Sequence, residues 1–136
     1  MNVGHLACTL TWSRPGDGDI VVTTANNHTI SYKNRGPSAS TDGGQLDIDD
    51  QNGTGPENVY WASSASVPPT GVYYVCFEPY TILPLISPGE PLTVVYQIIR
   101  PLNNILIFTR TFTALLRNGY DCDSNSTTLI GSFTYP

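Results

Sequence analysis

Short runs rich in Val, Ile, Thr, Tyr and Phe alternate along the chain with clusters of Gly, Pro, Asn and Asp. Runs of this make-up suit a pleated, half-buried surface, and the breaks between them carry turn chemistry. The pattern predicts strands over residues 6–13, 20–24, 29–33, 45–49, 58–61, 71–78, 92–100, 104–115 and 128–134. Pro101-Leu102-Asn103, between the two longest patterns, reads as a hairpin loop. No window sustains helical spacing, and 12 Gly and 11 Pro leave little room for one. Strands of this length and spacing predict an all-β antiparallel sandwich or barrel.

A chain of 136 residues is one domain's worth, so a single domain over 1–136 is expected. Charged residues make up only 12% of it, and the formal net charge is −5. The lone Lys33 and five scattered arginines argue against nucleic acid, since phosphate binding runs on clustered basic groups. Apolar runs such as 105–108 are far too short to span a bilayer. The N-terminus lacks the basic start and long apolar stretch of a signal peptide. Export information therefore lies outside this sequence, or export does not use that route.

Catalytic chemistry is thin. The histidines are His5, near a terminus, and His28, in a turn-like stretch, and both read as surface residues outside any catalytic motif. The chain is expected not to be an enzyme. Its acids are unevenly spread: seven of eleven lie between Asp17 and Glu57. Strand alternation sets Leu46 and Ile48 toward the core and Asp47 and Asp49 together on the other face. Asp50 and Asn52 follow at the turn, then Glu57, with Asp17 and Asp19 available from another loop. Hard oxygen ligands gathered in this way are what calcium asks for, although the spacing misses the EF-hand loop. Calcium is the one cofactor this segment suggests, against the alternative of a solvated acidic edge.

Three cysteines leave at least one thiol unpaired within the chain. Cys8 shares a phase with Leu6, Leu10 and Trp12 and is expected in the core. Cys76 points away from the Tyr73, Val75, Phe77 phase, and Cys122 lies in a polar loop; both are expected to be exposed and to pair. Three reduced thiols are the alternative in a cytosolic setting. Acceptor sequons for glycosylation stand at Asn27, Asn52 and Asn125, no more than chance supplies.

One further pattern is specific. Thr9-Leu10-Thr11-Trp12, the acidic loop at Asp17 and Asp19, and Tyr32-Lys33-Asn34-Arg35 come first. Gly43-Gly44-Gln45-Leu46-Asp47-Ile48-Asp49-Asp50, Gly55-Pro56-Glu57-Asn58-Val59-Tyr60-Trp61 and Thr70-Gly71-Val72-Tyr73 follow. Together these segments resemble a bacterial extracellular domain family of unknown function, often found alongside von Willebrand A-type domains. The resemblance implies an immunoglobulin-like β-sandwich at the cell surface or outside the cell, and it supplies no catalytic residues.

These readings converge on a non-enzymatic extracellular structural or adhesive subunit. The alternative is a calcium-dependent module for carbohydrate or protein ligands, with Tyr60 or Trp61 as a stacking surface. Self-association is expected from the 80–88 loop, where Ile82, Leu83, Leu85 and Ile86 surround Pro84. Four such side chains left in water invite cover by another copy, unless the loop closes over one end of the core. A contact of one patch with a different patch propagates into a filament unless it closes into a ring. The segment 1–5 would add a strand to a neighbour's sheet edge in such an assembly.

Overall fold

The computed structural model describes residues 4–47 and 53–136. Nine strands follow one another as β1 (Leu6–Trp12), β2 (Gly16–Thr23), β3 (Thr29–Ile30), β4 (Gln45–Leu46), β5 (Glu57–Trp61), β6 (Gly71–Ile82), β7 (Leu92–Arg100), β8 (Asn104–Phe112) and β9 (Leu129–Tyr135). They form two antiparallel sheets, ordered β4-β5-β1-β7-β8 (sheet A) and β3-β2-β6-β9 (sheet B). The sheets pack face to face, an all-β sandwich consistent with the immunoglobulin-like class.

Alternation explains the packing. Leu6, Cys8, Leu10 and Trp12 on β1 meet Ile20, Val22, Tyr73, Val75 and Phe77 from the opposite sheet, all of them buried. Tyr73 stacks on Phe133 with ring centroids 5.2 Å apart and meets Trp61 edge-on at 6.0 Å. Gly131 faces this interior from β9, and a Cβ there would sit 2.7 Å from the Phe108 ring. Two polar pins tie the sheets: Tyr96 donates its hydroxyl to the carbonyls of Cys76 and Val21, and Glu57 accepts the Ile20 N–H at 3.0 Å. Burial of these groups is tolerated because each is hydrogen-bonded.

Strand existence follows the pattern, while several limits move. The 71–78 strand runs on to Ile82, carrying Pro79 inside a central strand. That is possible because Pro79 faces Gly18 where the β2–β6 register shifts between Asp17 and Gly18. The 104–115 pattern stops at Phe112, and the 29–33 pattern at Ile30, where Ser31 and Asn34 close a turn. Pro101–Asn103 forms the expected hairpin connection as a tight 3-10 turn with Leu102 and Asn103 at positive φ.

Candidate functional site

The 80–88 segment divides its four apolar side chains. Ile82 and Ile86 are buried in the core, 1% and 5% exposed, which corrects the expectation that all four form a contact surface. The strand phase carries Ile82 inward, and the chain then turns back to set Ile86 over the end of the same core. Leu83 and Leu85, at 69% and 58% exposure, are left facing water. Arg14 fastens the segment from β1's end of the sandwich, donating to the carbonyls of Pro84, Glu90 and Pro91 at 2.9, 3.0 and 3.2 Å. Two leucines are thus held outward on a loop anchored on both sides.

Within the described part of the suggested calcium set, Asp19 and Glu57 face opposite ways. Asp19 lies on the outward face of sheet B and accepts the Tyr120 hydroxyl at 2.7 Å. Glu57 points the opposite way, between the sheets, toward the Ile20 N–H. Asp47 is exposed at the end of β4, its N–H donating to the Asn58 carbonyl. Asp17 lies near the returning loop, since Gly16 N–H donates to Gly53 O at 3.0 Å. Asp49, Asp50 and Asn52 lie outside the described residues, as does most of the 1–5 segment. Among the described residues, no group of three His, Cys, Asp or Glu side chains is placed to hold a metal ion.

Cys76 and Cys122 form the expected disulfide, with Cα atoms 5.8 Å apart. Both are buried, at 0% and 4% exposure, correcting the expectation of exposure. The outward phase of Cys76 is as expected, but the segment from Arg117 through Cys122 folds back over that face. There Val21, Cys76 and Cys122 make a second small core with Tyr74, Tyr120 and Leu129. Glu78 clamps this covering segment by accepting the N–H groups of Asn118 and Tyr120, and Arg117 reaches the carbonyls of Pro79 and Tyr80. Tyr120 sits edge-on to Tyr32 at 4.9 Å, with the Lys33 ammonium 4.7 Å from its ring centre. Burial, followed by the Asp19 bond and charge, pushes the Tyr120 phenol well above its usual range. Cys8 is the free thiol, wholly buried and raised by that burial.

Sequence reasoning passed over Asp42. This residue, in the left-handed region at φ 52°, accepts from Thr24 at 2.6 Å, Asn26 at 3.2 Å and His28 Nδ1 at 2.9 Å. Its own carbonyl accepts from the buried Trp61 indole at 2.9 Å, so Trp61 is no stacking platform. Burial alone would raise the Asp42 carboxyl, but the hydrogen bonds outweigh it and hold the group below the ordinary carboxylate range. An open cleft of about 870 Å³ adjoins it, lined by Asn26, Ser38, Gln45, Ser64 and Ser66 among others. Thr24 donates to the carboxylate rather than to the imidazole, so the trio does not follow the nucleophile–base–orienter order of acyl transfer. Its evident work is to lock the 24–28 turn to the 38–44 loop. The only signal in the sequence was the asparagine-histidine turn itself.

Asn27 and Asn125 stand exposed in turns; Asn52 lies outside the described residues. None of the described helical segments is long and apolar enough to cross a membrane. No protein-family model, curated protein or solved structure matches the chain.

Proposed function

We propose that this chain is a non-enzymatic structural or adhesive subunit of the cell surface or extracellular space that associates with further copies of itself. The observation that carries the reading is the outward display of Leu83 and Leu85 on a loop pinned by Arg14 and plugged by Ile82 and Ile86. A loop already ordered loses little conformational freedom on docking, so its apolar surface is available for binding. Covering both leucines contributes about 2–4 kcal/mol, enough for one contact among several. A buried disulfide fits an oxidising compartment, and the sequence resemblance over residues 9–73 points to the same place. Sedimentation over a range of concentrations tests the reading, with leucine-to-serine substitution at the loop as its control.

A further inference from the structure

We infer that β8 is an interaction edge whose occupant is β8 of a second copy, so that sheet A continues across a two-fold axis. The inference rests on the reading of a self-associating chain and assigns it a contact distinct from the leucine loop.

Among the described residues the sandwich has four edge strands: β3, β4, β8 and β9. Edges are normally blunted by shortness, bulges, proline or lysine, because an open ladder recruits other strands. β3 and β4 are two residues each, and the pairing of β9 is broken by a register shift between Val75 and Cys76. β8 differs. It runs nine residues in unbroken register with β7, from Leu92↔Phe112 to Arg100↔Asn104, with neither proline nor lysine. Its single charge, Arg110, is satisfied within the subunit by the carbonyls of Thr127 and Leu129, both at 2.8 Å.

The groups on the open edge can be named. Ser13 N–H donates to Thr93 O, so the peptide groups of Thr93 face β1. Alternation turns those of Val94, Tyr96, Ile98 and Arg100 toward β8, where Arg110, Phe108, Leu106 and Asn104 receive them. The N–H and C=O groups of Ile105, Ile107, Thr109 and Thr111 therefore point out of the sheet. Among the described residues no strand pairs with that side of β8.

Charge selects a second copy as the occupant. Copies carrying net charge −5 repel one another at most surfaces. The outward positions of β1, β7 and β8 carry no Asp, Glu, Lys or Arg, so two copies joined edge to edge bring no like charges together on that face. Full overlap sets Ile107 of one copy opposite Thr109 of the other and Ile105 opposite Thr111, β-branched pairs suited to a sheet. An edge of nine residues is about 30 Å long and about 10–15 Å deep, hence about 400 Å² per copy. That is about half of a standard interface, so the edge alone makes a weak, concentration-dependent dimer. Being isologous it closes as a pair, and growth beyond the pair falls to the leucine loop.

Amide hydrogen exchange, followed residue by residue at low and high protein concentration, tests the edge directly. The expected result is about tenfold or greater slowing at Ile105, Ile107, Thr109 and Thr111 as concentration rises. Ile107→Lys, at a side chain 59% exposed, abolishes that slowing in a folded chain, while Leu83→Ser/Leu85→Ser preserves it. Oligomers whose β8 amides exchange equally fast at every concentration overturn the edge and leave the self-association reading standing. A monomer at every concentration overturns both.

Discussion

Tyr120 and Asp19, 101 positions apart in the chain, share a 2.7 Å hydrogen bond across the outward face of sheet B. The bond closes the 117–122 segment over the disulfide and turns what alternation marks as a solvent face into a second core. Tyr120→Phe removes the donor and leaves a buried carboxylate poorer by one partner. A loss of about 1–2 kcal/mol is expected in chemical denaturation at neutral pH. Because the Tyr120 phenol is raised, its contribution is complete below tyrosine's ordinary value of about 10 and is lost as pH climbs through the raised one. The wild-type and phenylalanine proteins therefore draw together in strong alkali.

Reduction tests the same face from another side. Cys76 and Cys122 close a loop 46 residues apart, which on the chain-entropy model stabilises the fold by about 4 kcal/mol. The paired Ala variant is expected to melt well below the wild type. Under native, non-reducing conditions no thiol should alkylate, since Cys8 is wholly buried; in denaturant Cys8 alone should. Labelling of Cys76 without reductant contradicts the structure.

Asp42→Asn keeps a residue at home in the left-handed region but removes the charge that receives Thr24 and His28. A loss of about 1 kcal/mol is expected at neutral pH, allowing for partial exposure. The wild-type carboxyl is depressed, so its contribution is present above the ordinary carboxylate value and fades as pH falls through the depressed one. Melting curves of the two proteins should converge in acid and stay apart at neutral pH.

The strands were legible because period-two alternation is a local property. All nine predicted segments hold a strand, and Leu6, Cys8, Leu10 and Trp12 face inward as their phase requires. What lies against a strand's outer face is not local. Cys76 was placed outward correctly, yet no pattern announces that the 117–122 segment will cover it. The 80–88 loop was half legible for a similar reason. Its apolar excess was visible, but the division between Ile82 and Ile86 inside and Leu83 and Leu85 outside depends on the chain turning back after β6 to lay Ile86 over the end of the core, which no local pattern shows. Asp42 was missed because its donors come from separate turns and meet only in the fold.

Arg14→Ala separates anchoring from packing. The guanidinium bonds to Pro84, Glu90 and Pro91 are exposed, so global stability should fall by about 1 kcal/mol or less. Exchange of the 83–91 amides should quicken, and association should weaken, because the leucines would then be ordered only on docking. Association unchanged beside a loosened loop would detach the anchor from assembly.

The most direct measurement is sedimentation velocity on the folded, oxidised chain across a wide concentration range, beside Leu83→Ser/Leu85→Ser. The wild type is expected to grow into species larger than a dimer as concentration rises. The double variant should keep its melting temperature, since both side chains are mostly exposed, and should stop at monomer and dimer. A wild type that sediments as a monomer at the highest concentration, or a double variant that assembles as the wild type does, would contradict the account.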